Sequence, residues 1–292
     1  MSVAVIGLGA MGGPIAGHLA VAGLRPKLVD LDPDLVRRYA ELGGTAAELR
    51  DIHDAQVVLV TVPSDTDVRA VCLEGGLAAA LGEGSVLCIA SSVLPDSCAE
   101  IAEAARSAQV LDTALTGGVR AAEAGTINLL VGGPEDALER ARWALEPWTA
   151  TIHHLGGLGA GQVAKTCNNM LHWAQICAIR ESLELGRRFG LSVPALRAAL
   201  LDSPVASRTL AELEQMRLTW HAKDLANALA MGQAIGQDLP VASQSRDLMT
   251  GISVESLAAL LTAEGDGSVA LTEALDHGAS QTIASRATVT RP

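Results

Sequence analysis

Aromatic side chains are scarce in this chain, which has one Phe, one Tyr and four Trp among 292 residues. Ala, Leu and Val must therefore fill whatever core it builds. Positive charge is also short. Lys and Arg number 21 against 33 Asp and Glu, a net charge of −12 at pH 7. That balance argues against a nucleic-acid partner and favours solubility. The five cysteines, Cys72, Cys88, Cys98, Cys167 and Cys177, form no CxxC and no metal-ligand spacing. Their odd number points to buried free thiols in a reducing, cytoplasmic setting. His153 and His154 are adjacent, so on a strand they face opposite ways and no shared metal is expected. The stretch 3–24 lacks charge, but no basic segment precedes it and glycines interrupt it. A signal peptide or membrane span is the weaker reading, and no membrane association is expected.

What is present is globular: 49% apolar and 18% charged, with a length that suits two domains. Near the start, the apolar run Val3–Ile6 ends in GLGAMG, and residues 14–22 follow with apolar positions at helical spacing. A second apolar run closes at Val29, and Asp30 comes next, 18 residues past Gly12. A lone GxGxxG is a weak signal. Between a strand and a helix, with an acid at this distance, it is a strong one for a dinucleotide. Gly7 permits the tight turn, Gly9 lets backbone reach a pyrophosphate, and Gly12 lets the helix pack on the strand. Gly7, Leu8, Gly9, Ala10, Met11 and Gly12 then form the cofactor turn, with helix N–H groups turned to phosphate. Asp30 is placed to accept from ribose hydroxyls and would repel a 2′-phosphate, so NAD is expected in preference to NADP. Arg37 and Arg38 in the next helix are the complication.

The alternation continues. Strands are expected at 57–62, 86–90, 109–112, 127–131 and 151–155, with helices at 65–73, after Pro95, and after the Gly132-Gly133-Pro134 turn with Pro in its first turn. Strands separated by helices imply a mostly parallel, doubly wound sheet with ligands at the carboxyl ends of the strands. Val62 and Pro63, Ser91, and Thr116 to Gly118 all fall at such ends.

From residue 156 to 189 a glycine-rich turn feeds about 28 residues with no Pro and one late Gly, a helix of about 40 Å. A helix this long is expected to serve two lobes at once. Lys165 and Asn169, four apart, share one of its faces. From there to about residue 261 the chain is Ala- and Leu-rich with helical periodicity and no convincing strand. The expected fold is α/β: an N-terminal Rossmann-type doubly wound sheet, a long interdomain helix and an all-helical C-terminal domain. The dinucleotide-binding domain spans 1–160, and the interdomain helix with the helical substrate and oligomerisation domain spans 161–292. The polar tail 278–292 is expected to be mobile.

Taken together, GLGAMG at Gly7, DTALTGG at Asp112, GTINLLVGG at Gly125, GLGAGQVAKTCNN at Gly157 and HAKDLANAL at His221 resemble the β-hydroxyacid dehydrogenase family. The likeness covers the chain to about residue 271. It implies homodimers or homotetramers formed through the helical part. It also implies a catalytic acid/base at Lys165 and a substrate hydrogen bond from Asn169. Thr116, Gly117 and Gly118 would bind the substrate carboxylate, and Lys223 would lie against the nicotinamide end. Thr116 stands where Ser is usual, Ala114 where Pro is usual, Ala90-Ser91-Ser92 where Asp-Ser-Thr is usual, and Met216 where Phe is common.

The residues themselves suit that chemistry. Oxidising a hydroxyl with NAD takes a hydride from carbon and a proton from oxygen, and the proton needs an acceptor. A lysine serves if burial and nearby positive charge lower its pKa. Backbone N–H groups at Gly117 and Gly118 can form a small anion nest for a small-molecule carboxylate. Arg120 is either a solvated loop arginine or a contact for a second acidic group. Trp173, Trp220 and His221 are pocket lining or plain packing, and Lys223–Asp224 is part of the site or a surface charge pair. Other readings are reduction of another carbonyl or an imine on the same scaffold, or a non-catalytic NAD-binding protein. Imine reductases share the architecture but generally lack the lysine.

Overall fold

The computed structural model describes residues 1–267. The chain divides into two compact units, Met1–Cys167 and Asn168–Pro292. The first holds eight strands: β1 (Val3–Ile6), β2 (Lys27–Val29), β3 (Thr45–Ala46), β4 (Val57–Val60), β5 (Val86–Ile89), β6 (Gln109–Thr116), β7 (Ile127–Gly132) and β8 (Thr149–His154). Between them run helices α1 (Gly12–Val21), α2 (Pro33–Ala40), α3 (Asp65–Arg69), α4 (Leu77–Ala80), α5 (Pro95–Ala104), α6 (Gly118–Ala124) and α7 (Glu135–Leu145). α3 runs on into a π-helical turn, Ala70–Glu74.

The sheet order is β3-β2-β1-β4-β5-β6-β7-β8. Every pairing is parallel except β6 with β7. Thr116 at the end of β6 pairs with Asn128 at the start of β7, so the chain turns back through α6 and re-enters from the same edge. Strand order reverses between β1 and β4, the crevice where ligands bind in such sheets. Ile6, Val60, Ile89 and Asp112 lie in one register row across β1, β4, β5 and β6. The loops after β1, β4 and β5 therefore leave the sheet along one line, and β6 extends four residues beyond it.

Side chains alternate between the two faces of this sheet. Val3 and Val5 join Ile15, Leu19, Leu28 and Trp148 on one side, while Ala4 and Ile6 join Val58, Val60, Cys72 and Ile101 on the other. Both faces are covered, which is why β1, β4 and β5 read as unbroken apolar runs. Trp148 is the largest fully buried side chain, and its indole N–H donates to Ala144 O at 2.7 Å. Tyr39 joins the same cluster, and the rest of this core is filled by aliphatic side chains and Cys88, in keeping with the shortage of aromatics. Residues 3–24, uncharged as they are, form β1, a turn and α1. Among the described residues no helix is long and apolar enough to cross a membrane.

The long helix α8 (Ala160–Arg188) starts in the first unit and continues into the second. The second unit adds α9 (Val193–Leu201), α10 (Arg208–Ala211), α11 (His221–Ala234), α12 (Pro240–Met249) and α13 (Val254–Leu261). No strand follows β8 among the described residues. The core of this unit gathers Trp173, Ile176, Leu183, Val193, Leu225, Met249 and Leu257. The tail 278–292 lies outside the described residues.

Some boundaries differ from the sequence expectation. β6 runs four residues past Asp112, because Thr113 to Thr116 keep pairing with β7. Pro134 caps α7 from outside instead of entering its first turn. β3 has two exposed residues and no apolar signature. Four cysteines are buried, but Cys167 is exposed, so the expectation of five buried thiols fails at that position. Burial pushes the thiols of Cys72 and Cys88 up to about 12.

Candidate active site

The turn after β1 carries the first part of the site. Gly7 has φ +85°, and a Cβ there would lie 2.9 Å from Thr61 O. A Cβ on Gly12 would lie 2.0 Å from Gly7 O and 2.1 Å from the Thr61 hydroxyl oxygen. That hydroxyl already donates to Gly7 O at 2.6 Å, so the turn, α1 and β4 are in direct contact. Over Gly9, by contrast, nothing lies within 4 Å of an added Cβ. The three glycines thus meet three different needs: a left-handed turn, a close helix approach, and open space for a ligand. Gly13 carries a fourth, since its Cβ would fall 2.3 Å from the Tyr39 hydroxyl oxygen.

Asp30 is half-buried at the end of β2. One carboxylate oxygen accepts from Leu8 N at 2.5 Å and the other from Asp32 N at 2.8 Å. The carboxylate therefore shapes the glycine turn, and each oxygen keeps a lone pair for a ribose hydroxyl. Arg37 pairs with Asp34 at 2.7 Å, and Arg38 lies over the Tyr39 ring at 5.4 Å.

At the end of β4, Val62 is half-buried and Pro63 exposed. Ser91, after β5, is buried at 6% exposure, and its hydroxyl donates to Val62 O at 2.7 Å. Its side chain therefore stitches the loops after β4 and β5 together. Thr116 is buried as well, and its hydroxyl donates to Asn128 O at 2.9 Å. In this structure its one hydrogen is engaged by that carbonyl. Gly117 and Gly118 are exposed and sit at φ +107° and +70°, consecutive left-handed positions. Arg120 is exposed in the first turn of α6.

α8 has no acid in its first turn. Asp112 of β6 supplies one from elsewhere in the chain. Fully buried, its two oxygens accept from Gly159 N and Gln162 N, each at 2.7 Å. A carboxylate at this end satisfies free N–H groups and complements the helix dipole. Burial raises the Asp112 carboxyl above its usual range, while the N–H groups of Gly159, Gln162 and Gly161 pull it back. Small residues are needed around it, because a Cβ on Gly132 would meet Asp112 Oδ1 at 2.3 Å, and one on Gly161 would meet Leu130 O at 2.4 Å. Lys165 follows, half-buried, and Asn169 lies one turn further on, 8% exposed. Asn168 donates its side-chain amide to Asn169 Oδ1 at 3.1 Å.

In the second unit Trp173 is buried, donates from its indole N–H to Asp224 Oδ2 at 3.1 Å, and meets the His221 ring edge-on at 5.9 Å. It holds the start of α11, whose third residue is the half-buried Lys223. Trp220 is 57% exposed.

Residues 2–156 match the model for the NAD-binding domain of 6-phosphogluconate dehydrogenase. Residues 159–264 match that described as NAD-binding of NADP-dependent 3-hydroxyisobutyrate dehydrogenase. The chain is 35% identical to 3-hydroxyisobutyrate dehydrogenase of Pseudomonas aeruginosa, over 85% of this chain and 91% of that one. The chain belongs to the β-hydroxyacid dehydrogenase family. The chain is also 37% identical to an NAD-dependent L-serine dehydrogenase of P. aeruginosa, over 66% of this chain and 67% of that one. A solved structure of 3-hydroxyisobutyrate dehydrogenase from Mycobacterium tuberculosis with L-serine superposes at TM-score 0.79 and 27% identity, covering 92% and 97% of the two chains.

Several residues that hold these positions within each unit carried no clear signal in the sequence. Thr61, Tyr39, Gln162 and Asp224 act through partners distant in the chain. Asp112 left a trace, as the one charge inside an otherwise uncharged and mostly apolar strand. Among the described residues no cluster of His, Cys, Asp or Glu is placed to hold a metal.

Proposed function

We propose that this chain moves a hydride between NAD and a small β-hydroxyacid or its semialdehyde, with Lys165 handling the proton. The observation that carries the reading is the seat of Lys165. It projects from the second turn of a helix whose first turn is bonded to β6, the strand that ends in Thr116. The parallel strands β1, β4 and β5 beside it end in the glycine turn and the two cofactor loops.

The cofactor turn fits a dinucleotide. Gly9 leaves room for a pyrophosphate, and no acid stands in the first turn of α1 to oppose its charge. Asp30 retains lone pairs for ribose hydroxyls, while Arg37 and Arg38 are engaged with Asp34 and Tyr39. These features favour NAD over NADP. The nicotinamide, when bound, takes up or gives back the hydride. In oxidation the neutral Lys165 amine accepts the substrate hydroxyl proton as the carbonyl forms; in reduction the Lys165 ammonium returns a proton to the carbonyl oxygen. Asn169 shares the Lys165 face of α8 and orients that oxygen through its amide. The N–H groups of Gly117 and Gly118 hold the substrate carboxylate, with the Thr116 hydroxyl at the end of the adjoining strand. Arg120, two residues past the glycine pair, adds positive charge for an anionic substrate.

The relatives' names suggest where to look first. Initial rates with NAD and with NADP on 3-hydroxyisobutyrate, L-serine and other small hydroxyacids test the reading. Lys165→Ala should lower turnover by roughly 10²–10⁴-fold while NAD binding survives. Normal turnover by that variant would remove Lys165 from the mechanism, and NAD binding without turnover on any compound would favour a nucleotide-holding protein.

A further inference from the structure

The amide of Gln162 is the strongest feature that this reaction scheme leaves without a role. It is 1% exposed, among the most buried polar side chains in the molecule. Its Nε2 donates to Ser91 O at 2.9 Å, and its Oε1 accepts from Val93 N at 3.2 Å. Both ends of the amide are thus bonded to the backbone of the loop after β5. Its own main-chain N–H donates to Asp112. From Ser91 the bonding continues, through Oγ to Val62 O at 2.7 Å and through N to Val60 O at 3.1 Å. One side chain on the first turn of α8 is therefore wired to the ends of β4 and β5.

Apolar packing alone resists separation of a helix from a sheet better than it resists sliding or rotation, because apolar contacts carry little direction. An amide with one donor and one acceptor engaged fixes both, since hydrogen bonds weaken steeply off their axis. Lys165 lies three residues on, about 4.5 Å along the same helix. We propose that Gln162 is a positioning residue, setting the height and rotation of Lys165 against the cofactor loop after β5. This rests on the reading of Lys165 as the proton-transfer group.

The test uses Gln162→Met and Gln162→Glu in the full chain. Methionine keeps the stem and removes both hydrogen bonds. A misplacement of about 1 Å costs on the order of 10²-fold in rate, so kcat should fall roughly 10–100-fold, with a smaller change in the Kd for NAD. In the protein without ligand, the Val93 amide hydrogen should exchange faster. Glutamate gives a sharper measurement. Protonated, its O–H donates to Ser91 O and its carbonyl accepts from Val93 N, reproducing the amide. Ionised, it sets an acceptor against Ser91 O, beside the carboxylate of Asp112 and one residue from the Leu94 N–H that Asp65 holds. The ratio of Q162E to wild-type kcat should therefore rise several-fold as pH falls from about 8.5 to about 6, a range that a buried carboxyl can reach. Because the new carboxylate also acts on Lys165 through its charge, Val93 exchange in Q162E relative to wild type, which does not depend on Lys165, should slow over the same fall in pH. If Q162M does not fold, the Q162E ratio decides. Unchanged kcat and Val93 exchange in Q162M, or a flat Q162E ratio, overturn the proposal. Should wild type turn over and K165A fail while both Gln162 variants match wild type, only the positioning role is wrong. Should K165A equal wild type, or wild type turn over nothing, the functional reading is wrong and this inference falls with it.

Discussion

Asp112→Ala is the most informative single change for the first unit. The carboxylate is fully buried and accepts from Gly159 N and Gln162 N at 2.7 Å each. Alanine strands both donors away from water, at about 1–3 kcal/mol each. Removing a buried charge gives some of this back, because its desolvation penalty also disappears. A net loss of about 3 kcal/mol follows, which lowers Tm by roughly 6–12 °C for a unit of this size. Urea unfolding of the full chain, followed by circular dichroism and indole fluorescence, measures it directly. Asp112→Asn keeps the shape but turns a donor towards one of the two N–H groups, so it should lose a substantial part of the same energy. The pH dependence has a definite sign. Burial holds the Asp112 carboxyl above 3.8, its ordinary value. The folded state then keeps a proton that the unfolded chain has released. This contribution is fully present below the ordinary value and is lost as pH rises through the raised one. The stability gap between wild type and D112N should narrow across that window. A D112A loss below about 1 kcal/mol would show that the acid does not hold α8 in place.

Two further perturbations separate roles that look alike in the sequence. Gly12→Ala would drive a methyl to 2.0 Å from Gly7 O, against backbone, so it should cost about 1–3 kcal/mol of stability as well as NAD affinity. Gly9→Ala meets nothing within 4 Å and should leave Tm within the usual surface range while weakening NAD binding; equal Tm losses would contradict this division of labour. Iodoacetamide under native conditions at mildly alkaline pH should add one group per chain, at the exposed Cys167. Burial keeps Cys72, Cys88, Cys98 and Cys177 protonated and covered, and mass spectrometry finding a second adduct before unfolding would refute that.

The parts of the fold that were legible in the sequence are those encoded by neighbours. The glycine turn, the acid after β2 and the long α8 each show within one window, because a left-handed turn, a close helix approach or a helical period is a local demand. The direction of β7 is not local. An apolar run reads the same either way, and what reverses β7 is a seven-residue α6 that leaves no length for a crossover. Two-residue β3 carries no apolar signal because both of its residues are exposed. In the site, glycine and lysine positions could be placed by motif, but the states of their side-chain neighbours could not. Thr116 and Ser91 both look like ligand hydroxyls in the sequence. Both turn their hydrogens inward, to Asn128 O and Val62 O, for reasons set by strand register.

The Asp112 cap also bears on how this protein can be divided. Its acceptor lies on β6 and its donors at residues 159 and 162, beyond the point where the first matched region stops at 156. A nucleotide-binding half cut at that seam would leave the Asp112 carboxylate without either of these N–H donors. Chimeras between relatives should therefore carry residues 112 and 159–162 across from the same parent, as one inheritance unit.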